Sequence, residues 1–136
     1  MRKIYSRVDT SQTLAVVGTL DDATTSRQDL CDVQDPIQFS IRTLTAGLFV
    51  SPHKHLPIQL NTNKRMEVWI LLTGVVQYEI YDLNDELIVQ AKLIAPGFAL
   101  FFGGGHSLRV LEQESIFFEI KTGPYKGVEN DKQQIA

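Results

Sequence analysis

Short β-rich segments separated by turn signals, with no helical repeat sustained for three turns, predict an all-β domain, either a sandwich or a barrel. Residues 14–18 form a first apolar run that suits a strand, and the polar stretch 21–26 reads as a turn. Asp35-Pro36 marks a boundary. Residues 37–50 read as one or two strands broken near Ala46-Gly47, and 68–82 as strands bent at Thr73-Gly74. Residues 87–93 run into the turn Ala95-Pro96-Gly97, and 98–102 end at Gly103-Gly104-Gly105. Two last segments, 107–111 and 115–121, precede a polar tail that is expected to be loose or laid over the surface.

The chain has 136 residues, the size of one domain, with 43% hydrophobic and 21% charged residues. Its formal net charge is −3, with basic and acidic residues interspersed. A general nucleic-acid binder would show a basic stripe, so no nucleic-acid partner is expected. No apolar run approaches the roughly 20 residues that span a bilayer, so no membrane partner is expected either. The basic start, Met1 to Ser6, is not followed by an apolar stretch, and no signal peptide is expected. The single cysteine, Cys31, cannot make an internal disulfide and reads as a small hydrophobe, which suits a cytoplasmic protein.

Only three histidines occur, and two of them stand at i and i+2 in Pro52-His53-Lys54-His55. On a strand that spacing puts both imidazoles on one face, where they can offer two nitrogens to one ion. Other strands must complete the coordination sphere, and a carboxylate is the natural third donor. The alternative is that His53 and His55 are polar residues on an exposed strand face. The three glycines before His106 lack the helix start or Lys-Ser/Thr pair of a phosphate loop, so they read as a tight strand turn. Trp69 and the phenylalanines read as barrel core or dimer surface. Glu119, in an apolar strand, is either outward-facing or a partner or base in a pocket. Arg42, Lys64, Arg65 and Arg109 are solvated surface charges or anion contacts.

Gly47, five residues, then His53-x-His55 resembles the opening of the first cupin motif, and Glu67, six residues, then Gly74 resembles its close. Gly97 and His106 resemble parts of the second motif. From about residue 37 to 121 the chain therefore resembles the cupin superfamily. Within it, the stretches 103–107 and 118–125, followed by Asp131-Lys132, look most like small single-domain cupins associated with bacterial polysaccharide and lipopolysaccharide biosynthesis. Two departures stand out. Eleven residues separate His55 from Glu67 where the motif has three or four, so an inserted loop covers 56–65. In the second motif Gly103 replaces the usual proline, His106 follows Gly105 directly, and Val110 stands in the asparagine position.

The resemblance implies a double-stranded β-helix, or jelly-roll, cupin barrel over 37–122, with an N-terminal strand or arm at 1–36 and a tail at 123–136. It implies one divalent metal ion (Zn, Fe, Ni or Mn) held by His53, His55, Glu67 and His106. Gln59, where a short-gap glutamate would fall, is the alternative ligand. Glu67 is preferred, because an anionic oxygen binds a divalent ion better than an amide does. The expected function is metal binding with a small polar ligand in the barrel (a sugar, nucleotide sugar, or hydroxy or keto acid), and catalysis stays open, with Glu119 as candidate base. The alternatives are a metal-free sugar isomerase or epimerase and a non-catalytic binding module. Lys54, Gln59, Arg65, Arg109 and Glu119 could reach the barrel mouth, with Trp69 among its apolar walls. A homodimer is expected, because the apolar β-rich segments are too numerous for so small a barrel to cover.

Overall fold

The computed structural model describes residues 1–135. Among them are ten strands, two short 3-10 turns and no α-helix. Every strand pair is antiparallel. The strands are β1 (Arg2–Tyr5), β2 (Thr13–Thr19), β3 (Arg27–Asp29), β4 (Ser40–Arg42), β5 (Glu67–Thr73), β6 (Val75–Tyr81), β7 (Leu87–Ile94), β8 (Gly97–Phe101), β9 (Gly105–Val110) and β10 (Ile116–Lys121). They form a five-stranded sheet in the order β1-β2-β8-β5-β10, a three-stranded sheet β7-β6-β9, and a ribbon β3-β4. No helix among the described residues is long and apolar enough to cross a membrane.

Period-two alternation decides which face each strand buries. Ala15, Val17, Trp69, Leu71, Ala99 and Phe101 point from the larger sheet toward Val76, Tyr78, Ile80, Val89 and Leu93 of the smaller one, and this is the main core. The opposite face of the larger sheet carries Val16, Val68, Phe98 and Leu100. The ribbon and its flanks cover that face with Leu30, Ile37, Phe39 and Ile41. Strand β8 lies between the two clusters and is buried at all five positions, so its sequence reads as continuous apolar rather than alternating.

The expected strands at 14–18, 68–82, 87–93, 98–102, 107–111 and 115–121 are all present within a residue or two. The expectation for 37–50 is met only at Ser40–Arg42. Residues 43–66 hold no strand, and Gly47 turns there with φ +86°. Prolines at 52 and 57 remove two ladder donors from this stretch, and no neighbouring strand pairs with it. Among the described residues no strand bridges the two sheets, so each keeps two free edges, β1 and β10 in the larger and β7 and β9 in the smaller. β9 pairs only with β6 and β10 only with β5, and a five-residue link joins the two unpaired edges.

Candidate functional site

Two strands bring a carboxylate and an imidazole together between the sheets. Glu67 and Trp69 sit two residues apart on β5 and share its inner face, while Met66, Val68 and Ile70 face the ribbon. His106, opposite Ile80 in the β6–β9 register, lies on the inner face of β9. Its Nε2 is 3.5 Å from Glu67 Oε1, an ion-pair separation rather than a hydrogen bond. The Trp69 indole N–H donates to the same oxygen at 2.5 Å. The His106 ring stacks on Phe101, with centroids 4.1 Å apart and planes 19° apart, and meets the edge of Trp69 at 5.1 Å. The imidazole is therefore fixed by two aromatic rings and one carboxylate.

Burial pushes the Glu67 carboxyl up. The neighbouring His106, the Trp69 N–H and the Lys132 charge together outweigh burial and hold it below the ordinary glutamate range. Glu67 is thus an anion near neutrality, despite being 9% exposed.

The pair opens into a cavity of about 580 Å³, within the size range of small-ligand pockets. Trp69, Phe101 and Phe117 give it aromatic walls, while Arg65, Lys121 and Lys132 bring positive charge. The turn before His106 shapes its floor. Gly104 has φ +67°, and a Cβ there would run into the Tyr81 carbonyl. A Cβ on Gly105 would occupy the space filled by the Ile135 side chain. The expectation of a tight strand turn at this triplet is met.

Residues 131–135 of the tail also line the cavity. Asp131, 4% exposed at its side chain, lies 3.1 Å from Lys121 Nζ and 3.4 Å from Arg65 Nη1. Arg65 also donates to the Thr122 carbonyl at 2.6 Å. The carboxylates of Asp131 and Glu119 beside the Lys121 ammonium raise its affinity for its proton. Sequence reasoning did not place Lys121, Asp131 or Lys132 at the site. The one signal was the stretch Asp131-Lys132, which carried resemblance but no chemistry.

The other expected residues are spread more widely. His53 and His55 neighbour each other, with ring centroids 5.3 Å apart, but both are exposed and lie in the strandless 43–66 segment. The His53 Nδ1 is 2.9 Å from the Ser51 carbonyl oxygen. Gln59 and Lys54 are exposed in the same segment. Among the described residues, no three His, Cys, Asp or Glu side chains gather closely enough to share an ion. Glu119 pairs opposite Trp69 on β10, and its carboxylate meets Lys121 Nζ at 3.2 Å. Arg109 lies opposite Gln77, on the outer face of β9.

The donor set fits half of a divalent-metal site. Glu67 Oε1 and His106 Nε2 offer a carboxylate oxygen and an imidazole nitrogen, and two ligands at about 2.1 Å from one ion can span their 3.5 Å separation. Protein sites for such ions use three or four ligands, so two further donors are needed. Without an ion, the same pair is a hydrogen-bonding base and acid within reach of one bound molecule.

No protein-family model, no curated protein and no solved structure matches this chain.

Proposed function

We propose that the chain is a cupin-type jelly roll that binds one divalent metal ion and a small, polar, oxygen-rich ligand in the cavity between its sheets. The observation that carries this reading is the Glu67–His106 pair, held against Trp69 and Phe101 in the lining of a cavity of about 580 Å³. Strand order supports the jelly-roll part. From β5 to β10 the chain runs larger sheet, smaller, smaller, larger, smaller, larger, which winds two strand layers around one axis. The motif spacing supports His53 and His55 as the further ligands, with Glu67 ahead of Gln59.

In that arrangement the ion would supply Lewis acidity at a chelating oxygen pair. Arg65, Lys121 and Lys132 would counter the charge of a carboxylate or phosphate on the ligand. The aromatic walls would exclude water and cover the apolar face of a sugar ring or short carbon chain. A polysaccharide-pathway ligand such as a nucleotide sugar rests on the family resemblance alone.

A second reading has an observation in its favour. Glu67 and His106 come together without His53 or His55, as a metal-free isomerase or epimerase would require of its acid–base pair. Thermal melting separates the two. The metal reading expects hydroxy acids or nucleotide sugars to raise Tm, with a shift that shrinks once a chelator strips the metal. A shift indifferent to chelation favours the metal-free enzyme, and stabilisation by fatty acids alone contradicts both.

A further inference from the structure

The C-terminal tail lies over the cavity without joining either sheet. Among the described residues, the backbone–backbone hydrogen bonds of 126–135 stay within the tail, from the N–H groups of Asn130, Asp131 and Lys132 to the carbonyls of Gly127 and Val128. Past Gly127, Asp131 and Ile135 are the two side chains drawn in, and the others are exposed. Ile135 fills the space beside Gly105. A segment attached by side chains and not by a ladder opens at a lower free energy than the strands around it.

The polar half of this attachment is an ion cluster inside the cavity. The Asp131 side chain is 4% exposed, with Oδ2 at 3.1 Å from Lys121 Nζ and Oδ1 at 3.4 Å from Arg65 Nη1. Both cations belong to the sandwich, whereas the anion belongs to the tail. Lys121 ends β10 and also meets Glu119 on its own strand at 3.2 Å. Arg65, just ahead of β5, donates from Nη1 to the Thr122 and Pro124 carbonyls at 2.6 and 3.3 Å. These contacts hold the two cations whether or not the tail is seated. The carboxylate between them is incompletely satisfied, because Asp131 Oδ1 is buried and accepts no hydrogen bond. A buried acceptor left in that state is costly.

Resting on the reading of the cavity as a ligand site, and not on its metal, we propose that Arg65 and Lys121 form an anion subsite that Asp131 occupies in the absence of ligand. The carboxylate or phosphate of an incoming ligand displaces Asp131 and lifts the tail. The strand register puts this subsite beside the pair described above, since Lys121 lies opposite Glu67 across the β5–β10 ladder. A small molecule anchored there by its anionic group reaches Glu67 and His106 with its next few atoms. The exchange keeps the local charge balanced, because one anion replaces another between the same two cations. It also removes the orphaned oxygen. A free anion can turn to meet the further donors of the guanidinium fork, which the tethered carboxylate does not reach. A neutral ligand has no such exchange to offer and meets a cavity partly filled by residues 131–135. The tail thus selects for anionic ligands by competing with them.

Anion affinity and tail exposure of the whole chain test this together, with malonate and inorganic phosphate as probes. Binding of either probe should speed hydrogen exchange in residues 126–135, the reverse of a lid that closes on its ligand. Asp131→Ala should bind the same probe about tenfold tighter, because an internal competitor lowers apparent affinity by the fraction of time the subsite stands free. Its tail should exchange fast even without a probe. A chain ending at Tyr125 should show the same gain, which guards against a local effect of the alanine. Glu129→Gln removes a carboxylate of the same tail that meets Asn130 instead, and it should leave affinity unchanged. Lys121→Gln added to Asp131→Ala should abolish the gain. Probes that slow exchange in the tail, an Asp131→Ala chain that binds them no tighter than the natural one, or an equal gain in Glu129→Gln overturns the proposal. The proposed function fails separately: if the probes bind and free the tail while no hydroxy acid or nucleotide sugar raises Tm, the subsite stands and that ligand class falls.

Discussion

Gly104 and Gly105 are adjacent and are glycines for different reasons. The first needs a left-handed backbone beneath the Tyr81 carbonyl, and the second leaves room for Ile135. The sequence showed a turn at this triplet, but not that the tail closes on it, because nothing local to residues 103–105 encodes a contact 30 positions away. His53 and His55 show the same limit. Their spacing announces a shared face only on a strand, and residues 43–66 form none. Asp82 is the clearest case of a buried charge outside the site. Its carboxylate accepts from the Ser6 hydroxyl at 2.5 Å, the Arg7 N–H at 2.7 Å and the Leu83 N–H at 2.8 Å. Burial raises its pKa, but the Ser6 hydroxyl and the backbone N–H groups of Arg7, Leu83 and Val8 together outweigh burial and hold it below the ordinary aspartate value. A depressed folded value means the stabilisation is complete above the unfolded pKa and is lost as pH falls through the folded one. Asp82→Asn should therefore lower Tm by several degrees at pH 7, and the gap from the natural protein should narrow below about pH 4. Melting curves whose separation stays constant from pH 7 to pH 3 would show that the carboxylate charge is not what Ser6 and Arg7 hold.

At the scale of elements, strands with a strong pattern were legible and short ones were not. β5 to β8 and β10 combine β-branched or aromatic residues with clear bounding turns, such as Thr73-Gly74 and Ala95-Pro96-Gly97. β1 has only Ile4 buried and β3 none of its three residues, so neither has a periodicity to read. Both exist because a neighbour pairs with them, β2 and β4 respectively. Residues 44–50 have strand-forming composition without a strand, since composition does not supply a ladder partner. Stability should follow burial accordingly. Leu14 on β2 is fully buried in the main core, and Leu14→Ala should cost about 2–5 kcal/mol in denaturant unfolding. Val33, 84% exposed between β3 and β4, should change stability by less than about 0.5 kcal/mol when replaced by Ala. Similar losses at the two positions would mean that the core is not where the sheets place it.

For the whole molecule, two antiparallel sheets enclose an aromatic-walled cavity. The Glu67–His106 pair lines that cavity, and among the described residues no third His, Cys, Asp or Glu gathers with it. The sequence made the all-β class and the main strands legible, and it singled out Glu67 and His106, which the structure brings together. The conformation of residues 43–66, which hold no strand, was not legible, because whether a segment finds a pairing partner is not a local property. Elemental analysis of the natural protein, purified without added metal, tests the central claim most directly, with His53→Ala/His55→Ala measured beside it. The account predicts about one divalent ion per chain, lost in the double variant while the thermal transition is kept. A natural protein that carries only traces of metal and takes none up, or a double variant that retains its full complement, would contradict it.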